Sequence, residues 1–176
     1  MPADVSTREA LARHAAFVLR CSAAVTLSYL LAGAVGLPHP VWAAMSGVIV
    51  SQDSFADTRS AMAWRLLGTV IGIAAAVSVA LSTAPFGASL AVQMALAVAL
   101  CAIVSRRHTS LRVCMCTCPI VFLTADAATP IAIAGLYRGT EVVLGAAVGG
   151  ALHVLAEAVI RACFGQGASL ASRLRM

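Results

Sequence analysis

Charge is scarce in this sequence. Only 11% of its 176 residues are charged, against 61% hydrophobic and a mean hydropathy of +0.94. A water-facing domain of this size needs roughly 25–35% charged residues on its surface, so a soluble domain is excluded and the solvent is largely lipid. Lysine is missing altogether, all twelve basic residues being arginine. That absence reads first as coding bias and second as a preference for the guanidinium fork, which grips anions through parallel hydrogen bonds. Also missing are a phosphate-binding glycine loop, a nucleophile elbow and an HExxH pair, and no nucleophile and base fall at one depth. The chain is therefore expected to be no enzyme and to need no cofactor. Zinc-site spacing is missing too. Of six cysteines the densest group is Cys114, Cys116 and Cys118, which on a helix puts the first and third on one face, so they are expected to pack as small apolar residues and hold no metal. The end, Arg173-Leu174-Arg175, is too short a basic run for nucleic acid and suits a membrane surface.

What the sequence does have is long apolar runs. Charged or Pro/Gly breaks delimit Ala15–Val35, Val41–Val50, Ala61–Ser82, Ala88–Val104, Val113–Thr124 and about Gly135–Ile160. The first run is longer than the core of a signal peptide and is read as a retained transmembrane helix. The second and fifth are about a dozen residues, too short to cross a core of roughly 30 Å at 1.5 Å per residue. Each precedes a polar stretch, Ser51-Gln52-Asp53 or Thr124-Ala125-Asp126, and is expected to be a half-helix opening onto a cavity. The arginines set the orientation. Arg8, Arg13, Arg59, Arg65, Arg106, Arg107, Arg112, Arg161, Arg173 and Arg175 fall on one side and only Arg138 on the other, so both termini are expected to be cytoplasmic. The chain then divides into a cytoplasmic segment 1–14, a six-helix lipid-embedded domain 15–162 and a basic cytoplasmic tail 163–176.

Two stretches share one sparse pattern 73 residues apart: Asp53, Trp64-Arg65 and Gly72 recur as Asp126, Tyr137-Arg138 and Gly145. Three spans separate the copies, so they enter the membrane in opposite senses. The expected fold is all-α and integral to the membrane, with six transmembrane helices as two inverted three-helix repeats, 15–82 and 88–160.

Arg65, Thr69, Gly72 and Ala76 share one helix face, as do Arg138, Val142, Gly145 and Gly149. Each arginine is placed near the start of its helix, where the macrodipole already carries positive charge, so the pair forms an anion-attracting spot. The other reading has both arginines anchoring at headgroups or pairing with Asp53, Asp57 or Asp126. The spacings Gly68-x3-Gly72 and Gly145-x3-Gly149 fit close helix packing in lipid. Arg20, about one turn into the first span, and Glu141, one turn below Arg138, are intramembrane charges and so candidates for a pathway. Asp53 and Asp126, at the ends of the short segments, join them. His153 and Glu157 lie four residues apart and read first as an interfacial pair and second as a proton relay.

His39-Pro40-Val41-Trp42-Ala43-Ala44, Ser51-Gln52, Arg65-Leu66-Leu67-Gly68-Thr69-Val70-Ile71-Gly72, and Tyr137-Arg138 with Glu141 and Gly145 together give the chain a family likeness. It resembles, over roughly residues 15–160, the membrane domain of the fusaric acid resistance and aromatic acid exporter family, a likeness that extends to the plant aluminium-activated malate transporters. The resemblance implies a dimeric bacterial inner-membrane protein that conducts or exports organic anions such as aromatic carboxylates. It also implies roles for Trp42, Gln52, Arg65, Thr69, Arg138 and Glu141. Many members carry a sizeable cytoplasmic domain after this half, so a partner subunit is expected to supply that part. The leading expectation is an organic-anion exporter or channel. The alternative is a non-transporting scaffold or accessory subunit of a larger membrane complex.

Overall fold

A computed structural model describes residues 3–173, and side chains from 10 to 162. Of the tail 163–176, the backbone is described to Arg173 and no side chain is, so the basic character expected there lies outside the described residues, as does the side chain of Arg8. The described chain is all-helical: α1 (Ala3–Ala34), α2 (Pro40–Val50), α3 (Phe55–Thr83), α4 (Leu90–Arg107), α5 (Val113–Thr124) and α6 (Ile131–Arg173), with 3-10 turns at Ala84–Phe86 and Thr109–Arg112. Four stretches are long and apolar enough to cross a membrane: Ala10–Ala34, Phe55–Phe86, Leu90–Arg107 and Ile131–Ala162. α2 and α5 have 11 and 12 residues, roughly 16–18 Å, about half the hydrocarbon thickness. The chain is a multi-pass membrane protein.

Local chemistry sets the ends of these helices. Gly36, at φ 76°, closes α1 in the left-handed conformation, with the Leu37 N–H returning to the Ala32 carbonyl at 2.9 Å. Pro40 opens α2, where its missing N–H costs nothing. The Ser54 side chain accepts the Asp57 N–H at 3.1 Å and donates to the Asp57 carboxylate at 2.6 Å, capping α3. Asp126 accepts the N–H groups of Ala128 and Thr129 at 2.8 and 2.7 Å, forming the turn that leads into α6. Inside α5, Pro119 cannot donate to the Met115 carbonyl, and the Cys118 thiol donates to it instead at 3.7 Å.

α3 and α6 cross antiparallel at the centre, Gly135 facing Ile73 and Gly150 facing Met62. Each short helix docks on two longer ones: α2 on α6 and α1, α5 on α3 and α4. Two glycines permit this. A Cβ on Gly72 would lie 2.6 Å from the Thr117 Cβ and 2.8 Å from the Cys114 carbonyl oxygen, and one on Gly145 would collide with the Ala43 carbonyl and lie 2.9 Å from the Ser46 Cβ. Gly68 and Gly149 extend the same faces toward α5 and α2. Small residues thus bring backbones together where lipid gives no hydrophobic drive for association. Cys101, Cys114 and Cys118 are buried among Ala76, Val79, Ala97, Val121 and Phe122, in the core between α3, α4 and α5. Among the described residues no cluster of metal ligands forms.

Candidate functional site

Arg65 and Arg138 are 7% and 3% exposed. α3 begins ten residues before Arg65 and α6 seven before Arg138, so they lie roughly 15 and 10 Å along their helices. The expectation of helix-end arginines is corrected here: the dipole acts within the first turn, and both residues lie beyond it, about two and three turns from their helix starts. Arg138, like Arg65, is enclosed by the bundle. Among the described residues neither arginine forms an ion pair, so the proposed partners Asp53, Asp57 and Asp126 leave both unneutralised.

Both guanidiniums meet the same face of α2. Arg138 lies over the Trp42 ring, 4.4 Å from its centroid, while Arg65 Nη2 reaches the Ser46 hydroxyl one turn on, at 3.4 Å. Ser46 donates to the Trp42 carbonyl at 2.9 Å, so its oxygen is free to accept. The remaining donors are left open. Arg65 Nε and Arg138 Nε and Nη1 are buried without a hydrogen-bond partner. Thr69, also buried, returns its hydroxyl to the Arg65 carbonyl at 2.8 Å and so stays within its own helix. A cation–π contact stabilises a guanidinium by about 0.5–2 kcal/mol, far less than burying the charge costs. Two such cations meeting one short helix make this part of the bundle attractive to an anion.

Beside Arg138, Glu141 is 1% exposed. Its carboxylate accepts the His39 N–H at 3.0 Å, with the His39 ring 3.7 Å away, and so fastens the start of α2 to α6.

A second buried cluster joins four segments. Arg20 Nη1 lies 2.8 Å from His153 Nδ1, and Arg20 Nη2 donates to the Gln52 carbonyl just beyond α2. The Thr58 hydroxyl is 2.9 Å from the same His153 nitrogen and accepts the Gln52 N–H at 3.2 Å. Phe55 packs against the imidazole, ring centroids 5.6 Å apart. The anticipated His153–Glu157 pair does not form. His153 turns to α1 and α3, and Glu157 contacts Arg13 at 4.0 Å and Arg161 at 3.8 Å. Arg20 is buried on α1, five residues beyond the start of the apolar run at Ala15.

The sequence candidates therefore fall in separate places. Trp42, Arg65 and Arg138 converge on α2, with Thr69 and Glu141 adjoining. Gln52 and Arg65 line a pocket of about 410 Å³ with Asp57, Trp64 and Ser110. Arg20 and Asp53 line a crevice of about 400 Å³ between α1 and α6. Asp126 lines a pocket of about 230 Å³ with His39, Thr124 and Tyr137. Ser46 and Thr58 escaped the sequence reading. Thr58 had a signal, since it stands seven residues before Arg65 on the same face of α3; Ser46 had none beyond its place in a short apolar segment.

A sequence profile described as fusaric acid resistance protein-like matches residues 25–151, nearly three quarters of the chain and all of the arginine pair's surroundings. No curated protein and no solved structure matches the chain.

Proposed function

We propose, from the premise that the chain belongs to the fusaric acid resistance protein-like family, that it carries organic anions across a membrane, with aromatic carboxylates as the substrate class and export as the direction. The observation that carries this reading is the pair of buried arginines meeting one face of α2 with three nitrogens unpartnered. A carboxylate offers two acceptor oxygens to such donors, and a charge-assisted contact in a dry site is strong enough to replace lost hydration. The site suits passage better than tight storage, because no carboxylate among the described residues forms an ion pair with either arginine, the neighbouring Glu141 being held by His39. The reading assigns no reaction and no cofactor.

The architecture we infer is an inverted repeat of α1–α3 and α4–α6. Exchange of the two halves turns the α2–α6 contact into α5–α3, α1–α6 into α4–α3, and α1–α2 into α4–α5, and each of these contacts is present. Ala61 and Trp64, which line the pocket with Gln52 and Ser110, exchange with Ala134 and Tyr137, which line that with Thr124 and His39. The antiparallel α3–α6 crossing would hold the axis, one pocket serving each side. The arginine distribution supports cytoplasmic termini, and the family supports a bacterial inner membrane. The working unit we infer is a homodimer, joined where needed by a partner subunit.

The test is purified protein in liposomes loaded with a labelled aromatic carboxylate such as benzoate. Saturable efflux above that of protein-free liposomes is expected. Efflux equal to that control, with the protein folded and inserted, would overturn transport by this chain and leave the scaffold reading.

A further inference from the structure

We propose that His153 is a proton-operated latch: a proton taken up at its Nδ1 expels the Arg20 guanidinium and frees the chain at the end of α2. The argument begins with donors and acceptors. An arginine nitrogen only donates, so at 2.8 Å His153 Nδ1 must offer a lone pair, which makes the ring neutral with its proton on Nε2. A second proton at Nδ1 sets donor against donor and cation against cation at that distance. The imidazolium and Arg20 in its present place are mutually exclusive.

The cluster holds what a two-position switch requires. Thr58 Oγ1, 2.9 Å from Nδ1, can turn from donor to acceptor and keep the protonated ring where it is. Arg20 has somewhere to go: it borders the crevice shared by Asp53 and Glu157, where its charge is met. What it leaves behind is the Gln52 carbonyl, its hold on the link between α2 and α3. The charged and titratable groups around the ring are Arg20 from α1, Asp53 from the link, and Glu157 on α6 with its partners Arg13 and Arg161; His14 lines the crevice across from them. α3 contributes only the Thr58 hydroxyl and the Phe55 ring, and α2 carries no ionisable side chain. The step is a simple proton transfer, hydronium in the crevice giving one proton to Nδ1 and leaving water. The other half of the molecule has no counterpart, since the positions 73 residues from Arg20, Thr58 and His153 are Gln93, Ile131 and Ala80. Arg20 and His153 also fall just outside the stretch matched by the family profile.

Its consequence for transport, proton-dependent opening of one entrance, rests on the anion reading above; the latch itself does not. The test is hydrogen exchange in lipid nanodiscs without substrate, expressed as protection factors so that the chemical pH dependence of exchange cancels. Across roughly pH 8 to 5, the range of imidazole titration, protection over residues 50–56 is expected to fall about tenfold or more while the α3–α6 crossing stays protected. His153→Gln keeps an acceptor for Arg20 but takes no proton, and its protection there should not change with pH. Thr58→Val removes the acceptor for the new N–H and should move opening to lower pH by roughly one to two units. Wild-type protection flat across the range, or an equal fall in wild type and His153→Gln, would overturn the latch. Loss of anion flux in liposomes with the exchange response intact would instead overturn the transport reading alone.

Discussion

Three buried arginines, Arg20, Arg65 and Arg138, are each treated differently by their surroundings. Arg20 is engaged through both terminal nitrogens; Arg138 rests on a ring, and Arg65 touches one hydroxyl at long range. All three keep a buried Nε without a partner, but only Arg20 has both terminal nitrogens held, and that difference dictates what their removal does. Arg65→Gln and Arg138→Gln should each weaken the apparent affinity for the transported anion about ten- to a hundredfold, the loss of one charge-assisted contact of roughly 1.5–3 kcal/mol. Arg59→Gln, on the exposed side of α3, should leave it unchanged. Concentration-dependent flux in liposomes measures all three. Equal flux in every variant, with folding intact, would reduce Arg65 and Arg138 to structural anchors. Composition and the repeat pointed to these two arginines because buried charge in an apolar chain is rare enough to see. Their common meeting point on α2 was not legible, since the sequence carries no record of which helix face lies opposite.

At the scale of elements, two short helices dock against glycine-bearing faces of the long ones, and the tightness of that docking varies residue by residue. A Cβ on Gly145 meets the Ala43 backbone carbonyl, which cannot turn aside, whereas one on Gly139 meets only the tip of Ile73 at 3.6 Å. Gly145→Ala should therefore destabilise the protein by about 1–3 kcal/mol, as overpacking does, and Gly139→Ala by far less. Thermal unfolding in detergent separates them; equal melting temperatures would show that α2 does not need so close an approach. The short helices were legible from run length alone, as was the spacing of the glycines. Helix starts were not. α3 begins six residues before the apolar run at Ala61, because the Ser54–Asp57 cap and the polar turn after it are helical too. That shift is why arginines assigned to helix ends lie deep inside. The Arg20–His153 contact spans 133 residues and had no periodic signature, and only tertiary packing brings it about.

For the whole molecule, the question is what covers the outer face of the central crossing. α3 and α6 leave between them an apolar groove of about 750 Å³, lined by Val70, Ala74, Gly135, Leu136, Gly139 and Val143 among others. Under the inferred exchange of halves Val70 becomes Val143 and Leu66 becomes Gly139, two pairs that face the groove from its opposite walls. In lipid, small residues on such a face favour another helix over an acyl chain, since a packed backbone contact has more partner atoms than a mobile tail. A second copy is the natural occupant: twofold pairing buries the same face on both protomers and closes without leaving an edge. The purified protein in mild detergent should accordingly give a dimer by native mass spectrometry. Gly139→Leu, which fills the groove while leaving α2 and the arginine pair untouched, should shift the population toward monomer. Monomer alone for the wild-type chain, or a dimer indifferent to Gly139→Leu, would place the interface elsewhere and leave this groove to lipid.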